Sequence, residues 1–321
     1  MLRNFEFVMT YILLPTISVF GVVGNVMSML VLLKHGLHKC SNILIFALAV
    51  ADLLYLVGTN NIALQIYTSG PSLGFFYPER VAEFLFVMYH FEIAMESVGK
   101  VVSLILPSCI TFERLLAVFF PLHFSRILTP LRIWVTVGVL YVFGVSAYVQ
   151  YQLRFRLVYE VDPSTNRSVG MIADSEIISQ HAQYYVIFRQ AYIFIYGPFP
   201  VGFSLVGCLL IGFKIRFHEK KRKTLMNVKN TFSASGSSMK RTTRTLLTVC
   251  IVYTIIGLFN FVALVYIKYC DCVQVNTSMV VELIRKLGLS VNSSCNFIIY
   301  VGLNRNFRDT YREIFCRCAR R

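Results

Sequence analysis

Seven long, mostly apolar runs separated by short polar segments decide what this chain can fold into. They cover about residues 8–33, 42–67, 82–118, 131–152, 185–213, 242–267 and 279–303. A membrane-crossing helix needs roughly 20 such residues, because hydrocarbon offers no partner to an unpaired backbone N–H or C=O. The chain therefore reads as an all-α, integral membrane seven-helix bundle forming a single domain over residues 1–321. Charged residues make up only 15% of the sequence, which argues against a water-soluble enzyme. The third and seventh runs carry charges. A six-span reading follows if Glu282, Arg285 and Lys286 keep the last run out of the membrane.

The net charge of +15 resembles that of a nucleic-acid binder until its placement is examined. With the N-terminus outside, the inner segments hold twenty Lys or Arg against three acids, whereas the outer segments hold nine bases and ten acids. This is the positive-inside asymmetry of a multi-pass protein of the plasma membrane, N-terminus extracellular and C-terminus cytoplasmic. Two glycosylation tripeptides, beginning at Asn166 and Asn276, fall in segments read as extracellular. The nine cysteines match neither a disulfide scaffold nor a zinc site. No paired catalytic acids or histidine cluster share a depth, so the chain is not read as an enzyme. Internal repeats of the kind that build transporters are also missing.

Motifs inside the spans narrow the class. The first span holds Gly24-Asn25, and the second Leu48-Ala49-Val50-Ala51-Asp52-Leu53-Leu54. The third ends Glu113-Arg114-Leu115-Leu116-Ala117-Val118 before Pro121-Leu122-His123. The fourth carries Trp134, the fifth Pro198, and the seventh Asn292-Ser293-Ser294-Cys295-Asn296-Phe297-Ile298-Ile299-Tyr300. This ordered set resembles the rhodopsin-like (family A) G-protein-coupled receptors over essentially the whole chain. Phe297 in the place of the usual proline resembles the invertebrate FMRFamide-type peptide receptors. The resemblance implies an extracellular ligand, a heterotrimeric G-protein partner, and activation through Asn25, Asp52, Ser103, Glu113, Arg114, Asn292, Asn296 and Tyr300. It also implies a sodium ion at Asp52 as an allosteric ligand, with no other cofactor or metal. Three family features are missing. Tyr89 replaces the usual disulfide cysteine, residues 153–184 offer no partner cysteine, and the sixth span lacks its tryptophan and proline.

Physical chemistry reaches part of this independently. An acid at mid-membrane such as Asp52 is costly unless it is paired, protonated or bound to an ion. Glu113 beside Arg114 supplies a carboxylate that can hold the guanidinium. Glu92, Glu96 and Lys100 lie higher on the third span and are the candidate ligand-binding residues. Glu96 and Lys100 are four residues apart, so they either pair internally or face a ligand cavity. A short amidated neuropeptide fits best, with Glu92 and Glu96 holding a guanidinium. A small chemosensory molecule is the alternative ligand, and a transporter or channel the alternative class. Residues 304–316 form an amphipathic cytoplasmic eighth helix at the lipid surface, and Cys316 and Cys318 are lipidation candidates or free thiols. The bases Lys220-Lys221-Arg222-Lys223 serve either anionic lipid or the G protein.

Overall fold

Inside hydrocarbon a single segment satisfies its own backbone hydrogen bonds only as a helix, and the apolar runs take that form. The computed structural model describes residues 2–70, 72–162, 167–176, 182–226, 235–269 and 275–315. Its long helices are α1 (Leu14–His35), α2 (Cys40–Gly58), α3 (Glu79–Phe119), α4 (Pro130–Arg154), α5 (Pro198–Met226), α6 (Ser235–Tyr269) and α7 (Val275–Leu303). A short α8 (Arg305–Phe315) follows. Helical turns from Leu2 to Leu13 lead into α1, and the helix Ala182–Tyr196 leads into α5. Among the described residues six stretches are long and apolar enough to cross a membrane. The helix α7 is not among the six and carries Glu282, Arg285 and Lys286. It nevertheless packs on α6, α1 and α2 and closes the ring of seven.

At the centre stands α3, 41 residues long, packed on α2, α4, α5 and α6. Its tightest neighbour is α2, and two glycines make the approach possible. A Cβ on Gly99 would lie 2.3 Å from the backbone nitrogen of Tyr55, and one on Gly58 2.3 Å from that of Glu96. Small residues let membrane helices meet backbone to backbone, where dispersion replaces the missing hydrophobic drive. Ile43, Leu44 and Leu48 of α2 interlock with Val102, Leu106 and Ile110 of α3 to form the core.

Two features depart from the sequence reading. The second apolar run does not stay one helix: α2 stops at Gly58, Asn61 turns the chain at φ 22°, and a separate helix runs Ile62–Thr68. Asparagine tolerates that conformation better than most side chains. The segment expected as a loop is an antiparallel hairpin, β1 (Phe155–Asp162) with β2 (Arg167–Asp174), paired from Phe155 opposite Asp174. The bundle is therefore helical with one hairpin added, and this hairpin is held where the family uses a disulfide. Phe75 and Gly170 exchange two backbone hydrogen bonds of 2.9 and 3.2 Å. Leu157, Tyr159 and Ile172 pack on Tyr67, Phe75, Ala82 and Leu85. Tyr89, at the cysteine's place, is buried with Ala63 and Ile93.

At the opposite end, α8 buries Phe307 and is tied to α1 by Lys34–Glu313 at 3.0 Å and His35 Nε2 to Thr310 Oγ1 at 2.7 Å. Phe297 seats α8 through its ring contacts with Phe307 and Tyr311, 6.3 and 5.5 Å between centroids. Asn166, Cys270, Cys272, Cys316 and Cys318 lie outside the described residues, and Asn276 is the second residue of α7.

Replacing Gly99 with alanine forces α2 and α3 apart and costs about 1–3 kcal/mol through overpacking. Gly138, whose Cβ would meet nothing within 4 Å, is the control. Thermal unfolding in detergent should show Gly99→Ala melting well below the parent and Gly138→Ala unchanged.

Candidate functional site

Asp52 is fully buried on α2, and the helices around it supply what hydrocarbon cannot. Ser103 Oγ on α3 donates to its Oδ1 at 2.5 Å, and Asn296 Nδ2 on α7 donates to its Oδ2 at 2.7 Å. Asn25 on α1 reaches the same helix by donating to the Ser293 carbonyl at 2.9 Å. Asn292 is buried one residue away and, with Ser103 and Ser293, borders a gap of about 10 Å³. The four polar residues expected around Asp52 therefore meet on three other helices, although only Ser103 and Asn296 bond it directly. Ser293, which no motif singled out, borders the same gap and accepts the Asn25 amide on its carbonyl. Serine at that position carries no signal beyond its place in the Asn-Ser-Ser run.

The gap is close to the least volume that holds one water-sized particle. Its lining offers two serine hydroxyls and an asparagine amide, but also the Lys100 ammonium, and the Asp52 carboxylate is not part of it. Bordered by a lysine ammonium and not by the carboxylate, the gap does not fit the sodium ion that the resemblance implies, and both Asp52 oxygens are taken by Ser103 and Asn296.

At the α8 end of α3, Arg114 Nε donates to Glu113 Oε2 at 2.5 Å while its Nη2 bonds Glu113 Oε1 and Ser41 Oγ. Ser41 in turn donates to Glu113 Oε1 at 3.0 Å. Both charged side chains are buried, so each depends on the other to be tolerable there. Ser41, in the first turn of α2, is a third member that no motif pointed to. Tyr300 is buried nearby against Phe307, and its hydroxyl has no hydrogen-bond partner.

At the hairpin end the helices splay around a cavity of about 500 Å³. Glu96 and Lys100 both line it, one turn apart, yet no ion pair joins them. From α7 come Glu282, Arg285 and Lys286, which the sequence suggested only as charges weakening the span. Arg285 and Glu282 form a two-point ion pair within one helical turn. Asn260 on α6 lines the cavity with its amide nitrogen bonded to the Ile256 carbonyl and its carbonyl oxygen unpartnered. Gly257, at the wall of the sixth helix, packs against Val201: a Cβ there would meet Val201 Cγ2 at 2.6 Å.

Glu92 is placed differently from the expectation. Its two carboxylate oxygens each accept a backbone N–H, from Ile62 and Ala63, both at 3.1 Å, and it is not part of the cavity lining. With Asn61 Oδ1 accepting from Leu64 N at 2.8 Å, the first three amides of the Ile62–Thr68 helix are satisfied. His90 likewise stands apart, packed edge-on against Phe86 with ring centroids 4.4 Å apart. Glu92→Ala should strand one buried and one part-buried amide and lower stability by about 1–3 kcal/mol. The check is thermal unfolding of the purified protein; an unchanged midpoint would mean that the cap is dispensable.

The sequence profile described as 7 transmembrane receptor (rhodopsin family) matches residues 24–300. Among curated proteins, the chain is 24% identical to the thyrotropin-releasing hormone receptor of Mus musculus, over 98% of this chain and 80% of that receptor. It is 22% identical to galanin receptor 2a of Danio rerio, over 97% of this chain and 78% of that one. It is 21% identical to the FMRFamide receptor of Drosophila melanogaster, over 98% of this chain and 55% of the other. With the family profile running from the Asn25 helix to Tyr300 and so enclosing the Asp52 cluster, the Glu113–Arg114 pair and the cavity, this protein belongs to the rhodopsin family of seven-transmembrane, G-protein-coupled receptors.

Proposed function

We propose that this receptor binds a short, amidated extracellular peptide in the cavity at the hairpin end and passes the event to a heterotrimeric G protein at the α8 end. The orientation rests on charge: the segments at the α8 end carry the excess of Lys and Arg. The observation that carries the reading is that one helix serves all three places. α3 lines the cavity with Glu96 and Lys100, bonds Asp52 through Ser103, and ends in Glu113 and Arg114. A shift of α3 imposed at one end is therefore felt at the other.

The cavity volume falls in the range of ligand sites, roughly 300–1,000 Å³, and admits a few residues of a peptide. The unpartnered Asn260 oxygen is an acceptor for a peptide N–H. Relatives named for thyrotropin-releasing hormone, galanin and FMRFamide, the last a peptide amide by its own name, support the same class. In the resting receptor, Glu113 and Ser41 hold the Arg114 guanidinium. Its release frees the cation to meet the G protein and lets α6 move away from α3, while the Tyr300 hydroxyl gains a partner it lacks here.

Neutralising the carboxylate tests the scheme. Glu113→Gln weakens the charge-assisted bonds to Arg114, each worth about 1.5–3 kcal/mol, and should raise basal nucleotide exchange several-fold at equal surface level. A ligand-free exchange assay in cells reads this directly. Basal exchange equal to the parent would refute the resting role of the pair, and ion current without nucleotide exchange would refute the receptor reading.

A further inference from the structure

The charge on the cavity wall points to a ligand different from the cationic peptide that the sequence favoured. Five basic side chains line it, Lys100, Arg154, Arg189, Arg285 and Lys286, against two acids, Glu96 and Glu282. Glu282 is committed to Arg285, and Arg154 is paired with Asp174 at 3.1 Å. Lys100, Arg189 and Lys286 form no ion pair among the described residues, and the two acids of the lining are Glu96 and the Glu282 already bonded to Arg285. Arg285 and Lys286 lie close enough to Lys100 to repel its ammonium, and Glu96 and Glu282 close enough to attract it. Glu92, the second acid expected to hold a guanidinium, is spent on the Ile62–Thr68 helix.

We infer that the floor of this cavity takes a carboxylate of the ligand between Lys100 and Lys286, so that the receptor recognises an acidic peptide. This rests on the reading of the cavity as the peptide site. Cations gathered around one cavity repel one another; Arg189 is exposed, but Lys100 and Lys286 are half-buried, and a charge only partly solvated and without a bonded partner is costly. An entering carboxylate removes both costs, whereas a guanidinium would add to them. Crediting Glu96 to Lys100 does not alter the sign, because Lys286 and Arg189 remain. Lys100 also has a consequence beyond affinity. It borders the small gap beside Ser103, Asn292 and Ser293, so an anion drawn to it acts one turn of α3 above the hydroxyl bonded to Asp52.

The test uses a library of amidated pentapeptides prepared in matched arms, with Asp or Glu, with the isosteric Asn or Gln, and with Lys or Arg. A fourth arm keeps neutral side chains but ends in a free carboxylate, which separates a side-chain source from a terminal one. Retention on the purified full-length receptor in nanodiscs is read by mass spectrometry. Carboxylate-bearing members should be enriched about tenfold or more over their amide isosteres, the scale of one charge-assisted bond. Lys100→Gln and Lys286→Gln should each shrink that preference, and Lys100→Glu should turn it toward basic members. Retention of basic or neutral members as strongly as acidic ones overturns the anion assignment and leaves the peptide reading standing. Retention of no arm overturns both. The wild-type comparison decides the matter even where a variant fails to reach the membrane.

Discussion

Every charge placed between membrane faces has to be answered inside the protein, and this requirement organises the bundle more than any apolar contact. On α3 the answers differ by depth. Glu92 is answered by two backbone amides, and Glu113 and Arg114 by each other with Ser41. Asp52, facing α3 from α2, is answered by a serine and an asparagine. Among the described residues Glu96 and Lys100 form no ion pair and border open space instead. A charge left unpaired beside a cavity is the place where an external group can supply what the fold withholds.

The same view explains how this chain does without features its relatives rely on. A disulfide fixes a loop covalently; here backbone pairing of Phe75 with Gly170 and the apolar cluster around Tyr67 fix the hairpin by ordinary folding forces. That tether is stable only while the helices beneath it are assembled. Phe297 in place of proline leaves α7 its backbone amide and lends a ring to α8, with Gly24 leaving the space on α1. Gly257 on α6 lets Val201 of α5 come close beside the cavity.

The helices and the polar core were legible because membrane length, intramembrane acids and asparagines announce themselves locally. Asp52, Asn296, Glu113 and Arg114 needed no neighbours to be noticed. What was not legible depended on long-range contact. Ser41 is an unremarkable serine until folding sets it against a carboxylate. Glu282, Arg285 and Lys286 looked like flaws in an apolar run until α7 turned them to the cavity. Glu92 resembled a ligand anchor because nothing in the sequence shows that the second span breaks at Asn61 and presents two amides to it. The hairpin was hidden for a similar reason: its first strand alternates only weakly between buried and exposed positions, and the Phe75 bridge that ties it down comes from a distant loop.

In the proposed mechanism the bonds among Arg114, Glu113 and Ser41 keep the α8 end closed. Pulsed electron spin resonance between labels at Leu122, in the segment after α3, and Met239, in the first turns of α6, measures that closure directly. In a receptor carrying Ser41→Ala with Glu113→Gln, the distance distribution should shift to longer values without any ligand. A distribution identical to that of the parent would contradict the claim.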